Sequence, residues 1–356
     1  METGGIAILV FFVVGIVASL TINQVLLRFS RSLGIRNKND VTVRWSNESK
    51  PSLGGISLFA VFIFAVMAIA VFCPDLQLFE TSSFLGLLAG SCLAFVIGIT
   101  DDAYNTRPLL KLLGQITCGA LVVYSGHTIA LFHIPELDAV FTVIWVVVIM
   151  NSLNMLDNMD GITGTVSLFV LLLCFISFTY LYGLMNTYQT LTITAVAGAL
   201  IGFMYFNINP SKMFMGDTGS QFISFFVAFF AIELLWNYPV NFEMPSWTGL
   251  ILVLTIFTPA AVDTLSVVIN RLKKGRSPMV GGKDHTTHHL VYKGLSDFSA
   301  WVVFLTISAV SLAIGLAILY FIQIELIYLS IIGVIYFIFV FFLLYRNTLK
   351  YKEPNE

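Results

Sequence analysis

The chain has 356 residues, of which 18 are Lys or Arg and 20 are Asp or Glu, and its formal net charge is −2. Hydrophobic residues make up 58% of the sequence and the mean hydropathy is +0.90, which is more apolar sequence than the core of a soluble protein can absorb. A soluble protein is therefore excluded, an integral membrane protein is indicated, and no nucleic-acid partner is expected.

Eleven apolar runs in the sequence are long enough to span a bilayer, because a hydrocarbon core of about 30 Å needs about 17–25 residues of helix. No loop between these runs is long enough to form a separate soluble domain. The sequence therefore predicts an all-α integral membrane protein, a polytopic bundle of about 11 transmembrane helices that occupies residues 1–356 as a single domain. The predicted spans are 6–27, 53–73, 83–99, 109–124, 139–155, 163–184, 189–206, 218–236, 247–270, 298–321 and 326–345.

The basic residues are confined to alternate loops. All 18 Lys and Arg fall in the loops at 28–52, 100–111, 207–217 and 271–297 and in the C-terminal tail, whereas the intervening loops contain none. Because short loops that carry Lys and Arg stay in the cytosol, these loops are predicted to be cytosolic. The same rule predicts an N-terminus outside the cytosol and a cytosolic C-terminus.

Five aspartates from three separate helix ends fall on this predicted cytosolic side. Two of them are adjacent, and like charges repel unless a cation or a basic partner is near. Oxygen ligands of this kind suit Mg²⁺ or Mn²⁺, and Mg²⁺ is typically held by one or two carboxylates plus the phosphates of a substrate. The alternative for any single aspartate is a helix cap. The five are Asp101, Asp102, Asp157, Asp160 and Asp217.

Further polar groups lie beside two of these clusters. Asn151, Asn154 and Asn158 recur at helical spacing and predict one polar stripe suited to a polar ligand or a hydrated cation. Asp217 lies where a helix is predicted to begin, and the free N–H groups at such an end favour anions.

The last large loop contains three histidines in the sequence GGKDHTTHH at 281–289. Zinc is the weaker interpretation, because there is no HExxH motif and two adjacent His side chains do not readily converge on one metal. The glycines and upstream cations such as Arg276 favour a clamp for a diphosphate. Asp263 lies within an apolar run, and the sequence leaves open whether it is buried and paired or near the cytosolic end. The histidines are His285, His288 and His289.

Five motifs, taken in this order, resemble those of the polyprenyl-phosphate N-acetylhexosamine-1-phosphate transferases, the WecA/TagO/MraY family, with the WecA/TagO branch closest. The resemblance covers most of the chain, from about residue 50 to the histidine loop. The motifs are KPSLGG at 50–55, the aspartate pair of GITDD at 98–102, NSLNMLDNMDG at 151–161, FMGDTGS at 214–220 and the histidine loop.

The resemblance implies transfer of a sugar-1-phosphate, such as N-acetylglucosamine-1-phosphate, from a UDP-sugar to undecaprenyl phosphate, with release of UMP. It implies a bacterial inner-membrane enzyme with a cytosolic active site that initiates cell-envelope glycan synthesis, and it is compatible with a homodimer. The implied cofactor is Mg²⁺, with Mn²⁺ as the substitute, and the implied metal ligands are Asp217 and Asp157. The implied catalytic residues are Asp101, Asp102 and Asp160.

Nine residues are expected to bind substrate. Three of them lie at the cytosolic ends of predicted helices and are candidates for contact with the lipid phosphate, namely Lys50, Arg107 and Lys111. The other six, from the asparagine stripe and the histidine loop, are Asn151, Asn154, Arg276, His285, His288 and His289.

Two departures from the family pattern leave the sugar specificity and the role of His285 open. Asn158 stands where the family's D-G-x-D-G motif has glycine, and the histidines are spaced HxxHH where the WecA pattern is HxHH. The alternative function is an ion- or proton-coupled secondary transporter, but such carriers place charged sites near the bilayer midplane and often contain repeats. A nonenzymatic lipid binder would not need five carboxylates on one face.

Overall fold

A computed structural model describes residues 2–32, 50–278 and 281–352 as an all-α bundle. Most of the predicted loop at 28–52, including Arg36, Lys38 and Arg44, lies outside the described residues. The α-helices are α1 (Glu2–Ser32), α2 (Gly54–Phe72), α3 (Ser82–Tyr104), α4 (Pro108–Tyr124), α5 (Pro135–Leu156), α6 (Ile162–Tyr182), α7 (Tyr188–Asn207), α8 (Gly216–Ala231), α9 (Trp247–Ile256), α10 (Thr258–Lys273), α11 (Thr286–Tyr292), α12 (Asp297–Gln323) and α13 (Ile331–Lys350).

The helices confirm the predicted class, an all-α polytopic membrane protein. Within the described part of the chain, nine helices are long and apolar enough to cross a membrane. The bent pair α9–α10 makes a tenth candidate span, and α4 is a shorter apolar helix at the position of the predicted fourth span. All eleven predicted spans therefore coincide with helical segments.

The prediction of one continuous helix over 247–270 is wrong. The structure ends α9 at Ile256, begins α10 at Thr258, and bends the two by 84°. Pro259 lies in the first turn of α10, where its missing N–H costs nothing, whereas within a continuous helix it would remove a hydrogen bond and clash with the preceding turn. Because the break changes the direction of α10, its residues Asp263 and Arg271 lie next to the histidine loop.

Helix α8 is the centre of the bundle. It and the short helical turns that follow it are buried along almost their whole length, and α2, α3, α5 and α6 pack around it. Its side chains include five fully buried phenylalanines, so the first turn of α8, with Asp217, is held by a rigid apolar body. These are Phe222, Phe225, Phe226, Phe229 and Phe230.

Glycines allow other helices to approach the first turn of α8 closely. The N–H groups of Gly54 and Gly55 donate to the carbonyls of Phe214 and Met215 at 3.1 and 3.0 Å. A Cβ on Gly55 would lie 2.1 Å from the backbone nitrogen of Gly219, a distance that real side chains do not adopt. Small residues serve such backbone contacts between membrane helices, so the glycines of KPSLGG fix α2 against the start of α8.

We expect Gly55→Ala to destabilise the protein by about 1–3 kcal/mol, because the added methyl group meets backbone that cannot yield without a helix shift. The measurement is the Tm of purified protein in detergent. Gly5→Ala is the matched control, since its Cβ would meet only a side-chain methyl of Leu184 at 3.5 Å. Equal Tm values for the two variants would contradict the tight contact between α2 and α8.

Candidate active site

The predicted aspartate clusters converge on the N-terminus of α8. Asp102, in the last turn of α3, accepts a hydrogen bond on Oδ1 from the Asp217 N–H at 3.0 Å. Its Oδ2 accepts from the N–H and the hydroxyl of Thr218 at 2.8 and 2.6 Å. Asp102 therefore caps α8 from a neighbouring helix and places Asp217 beside the end of α3.

Lys111 connects Asp101 to Asp217 and Asn154. Its ammonium donates to Asp101 Oδ2 at 2.7 Å, to Asp217 Oδ1 at 2.9 Å and to Asn154 Oδ1 at 3.1 Å. Asp101 is also fixed by the N–H and hydroxyl of Thr106 at 2.9 and 2.7 Å. The repulsion expected between the adjacent aspartates is thus relieved by separate partners, a lysine for Asp101 and a helix N-terminus for Asp102.

The asparagine stripe of α5 contacts other helices. Asn154 Nδ2 donates to Asp217 Oδ1 at 2.5 Å and to Ser220 Oγ at 2.8 Å. Asn151 Nδ2 donates to Gln115 Oε1 at 2.7 Å, and Gln115 Nε2 donates to Gln221 Oε1 at 3.1 Å. Sequence reasoning missed the amide chain through Gln115 and Gln221, although a glutamine inside an apolar span is the kind of residue that bonds across membrane helices.

The loop between α5 and α6 carries the remaining two aspartates. Asp160 Oδ2 accepts from Ser211 N at 3.3 Å, and Lys50 Nζ donates to Ser211 Oγ at 3.2 Å, so Lys50 lies beside this loop. Burial, followed by the negative charges of Asp217, Asp102 and Asp160, raises the pKa of Asp157 to about 8. Burial is thus the largest cause of the raised pKa of Asp157, and the three neighbouring carboxylates add to it.

The donor set fits a magnesium ion that relies on substrate for part of its coordination. Among the residues that the structure describes, no three His, Cys, Asp or Glu side chains form a metal site by themselves. Both oxygens of Asp102 are bonded to α8, whereas hydrogen bonds within the described ranges reach only Oδ1 of Asp217. One or two carboxylates with phosphate oxygens and water are the usual ligands of Mg²⁺, and Asp217 with Asp157 matches that set.

An ion pair precedes the histidine helix α11. Arg271 donates from Nε and Nη2 to the two carboxylate oxygens of Asp284 at 2.8 and 2.6 Å. Burial favours the neutral acid, but the hydrogen bonds and charge of Arg271 outweigh it and lower the pKa of Asp284. Arg271 is 5% exposed, so it organises the loop from inside, whereas Arg276 and Arg107 are exposed.

The three histidines are buried and have different surroundings. His285 Nδ1 lies 2.8 Å from Asp263 Oδ2, and His289 Nδ1 contacts the carbonyl of Tyr351. Burial, and then the neighbouring His285, lower the pKa of His288 to about 3, so its imidazole is neutral at pH 7. The three do not act as equivalent cations.

A hydrogen bond links the histidine helix to the aspartate loop. Thr287 Oγ1 donates to Asn158 Oδ1 at 2.6 Å, and Asn158 Nδ2 donates to the Met155 carbonyl at 2.9 Å. Asn158 and the HxxHH spacing are the two departures noted in the sequence. The structure brings them into direct contact.

Comparison with known proteins gives a family and several relatives. The model of glycosyl transferase family 4 matches residues 84–235, the segment that contains all five clustered aspartates. Over this segment the chain is similar to glycosyl transferase family 4. A Bacillus subtilis (strain 168) protein named probable undecaprenyl-phosphate N-acetylglucosaminyl 1-phosphate transferase is 26% identical over 310 residues, which cover 84% of this chain and 82% of that protein.

Two further relatives align over most of their length. The decaprenyl-phosphate N-acetylglucosaminephosphotransferase of Mycolicibacterium smegmatis is 28% identical over 335 residues, 86% of this chain and 80% of that protein. The phospho-N-acetylmuramoyl-pentapeptide-transferase of Streptococcus uberis is 29% identical over 327 residues, 81% of this chain and 90% of that protein. The resemblance stated from the motifs is confirmed.

We expect Lys111→Met to destabilise the protein by roughly 3–5 kcal/mol, because it leaves the partly buried carboxylates of Asp101 and Asp217 without their shared cation. The measurement is again Tm in detergent, with Lys212→Met, an exposed lysine over the Tyr205 ring, as the control. Adding Asp101→Asn to Lys111→Met should restore part of the loss. Additive losses in the double variant would show that the two side chains are not coupled.

Proposed function

We propose that the protein transfers N-acetylhexosamine-1-phosphate, such as N-acetylglucosamine-1-phosphate, from a UDP-sugar to undecaprenyl phosphate and releases UMP. The observation that carries this proposal is the convergence of Asp101, Asp102, Asp217 and Lys111 at the N-terminus of α8. The names of the relatives support a polyprenyl-phosphate acceptor and a nucleotide-sugar donor. The transporter alternative is not supported, because the five clustered aspartates gather at one end of the bundle.

The proposed reaction exchanges one phosphate linkage for another. An oxygen of the acceptor phosphate attacks the β-phosphorus of the donor, and the bond from that phosphorus to the oxygen bridging to the α-phosphate breaks, so that UMP leaves. A phosphate monoester is largely dianionic at pH 7, since its second pKa is about 6. A general base is therefore not strictly required, and the main task of the protein is to position two anions.

The side chains of the site have distinct parts in this positioning. Lys111 offsets negative charge where the two anionic substrates meet, and Asp101 holds its ammonium in place. Asp102 fixes the first turn of α8 and so the direction of Asp217. Asp160 orders the loop at Ser211, where Lys50 lies.

Mg²⁺, with Mn²⁺ as the substitute, is the proposed cofactor, held by Asp217 and Asp157. When bound, the ion would neutralise charge on the phosphates of the donor and favour departure of UMP. Burial first, and then the nearby carboxylates of Asp217, Asp102 and Asp160, raise the pKa of Asp157, and it is these carboxylates whose charge a cation here would offset.

The proposal is tested by incubating purified protein and undecaprenyl phosphate with a panel of UDP-sugars and detecting UMP together with the lipid product. Formation of both from one UDP-N-acetylhexosamine supports it. Release of UMP without a lipid product, or no turnover of any donor, would reject it.

Asp217→Asn should remove most turnover, because an amide replaces the charged oxygen ligand that a hard cation prefers. Wild-type activity should be lost with EDTA and restored by Mg²⁺ or Mn²⁺. Asp75→Asn, at an exposed loop position, is the matched control and should retain activity. Near-normal turnover of Asp217→Asn at limiting Mg²⁺ would remove this residue from the metal site.

Lys50, Arg107 and Lys111 are the proposed contacts of the acceptor phosphate. Lys50→Ala should raise the apparent KM for undecaprenyl phosphate more than the KM for the UDP-sugar, because a headgroup at the membrane surface needs a cation there. Lys212→Ala is the control, since Lys212 lies next to Ser211 and is exposed. Equal changes in both KM values would argue against a specific acceptor contact.

The proposed location is the bacterial inner membrane, with the N-terminus outside and both the active site and the C-terminus in the cytosol. The observation behind this orientation is the confinement of all Lys and Arg to alternate loops. A phosphatase reporter fused to the C-terminus should be inactive, and the same reporter inserted near residue 131 should be active. The reverse pattern would invert the topology.

A further inference from the structure

Asp263 is a buried carboxylate that the proposed reaction does not use. It lies in α10, and its exposed fraction is 0%. Its Oδ2 lies 2.8 Å from His285 Nδ1, and its Oδ1 accepts from the N–H and hydroxyl of Thr286 at 2.8 and 2.6 Å. A buried ionised carboxylate is costly without such partners, so three hydrogen bonds from two consecutive residues require explanation.

Asp263 determines which nitrogen of the His285 ring carries a proton. An ionised carboxylate only accepts hydrogen bonds, so Nδ1 must carry the proton that points to Asp263. The hydrogen bonds of His285 within the described residues use its backbone and Nδ1, and none of them uses the other ring nitrogen, Nε2. Asp263 thus fixes the ring through one nitrogen and leaves the other for a ligand.

We propose that Asp263 is a positioning residue that holds His285 with Nε2 directed to the diphosphate of the UDP-sugar, an inference that rests on the proposed function. For Nε2 to donate to a phosphate while Nδ1 donates to Asp263, the ring must carry both protons. The other ionisable neighbours are Asp284, already paired with Arg271, and His288, whose ring is edge-on at 5.3 Å.

The site of His285 is tied to the aspartate clusters. Thr287, two residues after His285, donates a hydrogen bond to Asn158 at 2.6 Å. Asn158 lies in the loop that also carries Asp157 and Asp160. A histidine fixed from α10 and linked to that loop is placed to contact a ligand that the aspartates and Lys111 also approach. The diphosphate is the part of the donor whose negative charge suits contact with both His285 and Lys111.

The competing explanation is that Asp263 only caps α11. The two roles use different oxygens, Oδ2 for His285 and Oδ1 for Thr286. Thr286→Val removes the hydroxyl contact and keeps the backbone N–H and the histidine pair. Asp263→Asn and His285→Gln instead act on the histidine pair, so these three variants separate the roles.

The test measures the binding of UDP and of UMP to purified protein by calorimetry, and the KM values for donor and acceptor. In Asp263→Asn and in His285→Gln, UDP should bind about tenfold more weakly or worse, the order expected for a lost hydrogen bond to a charged group. UMP binding and the acceptor KM should change by less than about threefold, since neither contains the diphosphate. The double variant should be no weaker than His285→Gln alone.

Several results would overturn the proposal. They are wild-type UDP affinity in His285→Gln, an equal loss for UMP and UDP, additive losses in the double variant, or the same loss of UDP affinity in Thr286→Val. His285→Gln leaves the Thr286 bonds to Asp263 intact, so it decides the matter even if Asp263→Asn does not fold. Because UDP binding needs no turnover, these outcomes are separate from wild-type failure to transfer any sugar-1-phosphate, which would reject the proposed function instead.

Discussion

The arrangement of the site depends on the capping of α8 by Asp102. The carboxylate accepts three hydrogen bonds from the first turn of α8, and Gly216 at the start of that turn has φ +73°. A Cβ on Gly216 would lie 2.8 Å from Asp102 Oδ2, so the glycine leaves the room that the capping carboxylate occupies. Since α8 is also the buried centre of the bundle, this contact connects the rigid apolar core to the polar end where Asp217 lies.

Most charges at the polar end have an identified partner, although Asp217 shares Lys111 with Asp101. Asp101 takes Lys111, Asp102 takes a helix N-terminus, Asp284 takes Arg271 and Asp263 takes His285. Asp157 is the exception, because burial and three neighbouring carboxylates raise its pKa to about 8. A cation near Asp157 would offset the charges of its three carboxylate neighbours, Asp217, Asp102 and Asp160.

Much of this could be read from the sequence because the bilayer imposes simple rules. Span length predicted helical segments at all eleven positions where the structure has them, and the aspartates proposed from three separate loops do converge. The break at Phe257 was not predicted, because the apolar run continues through it and only Pro259 signals an interruption. The partners of Asp263 and Arg271 also could not be predicted, since they depend on how that break redirects α10. Spacing alone likewise could not separate the capping role of Asp102 from the ion pair of Asp101.

The hydrogen bond between Asn158 and Thr287 has a consequence for how this sequence can change over evolution. Each side chain provides the partner of the other at 2.6 Å in a half-buried place, so a glycine at 158 would leave the threonine hydroxyl without its acceptor. Shortening the histidine spacing would likewise remove the threonine hydroxyl that donates a hydrogen bond to the asparagine side chain. Either change alone passes through a less stable intermediate. The two positions are thus expected to be inherited as a pair, and relatives that differ at one should differ at the other.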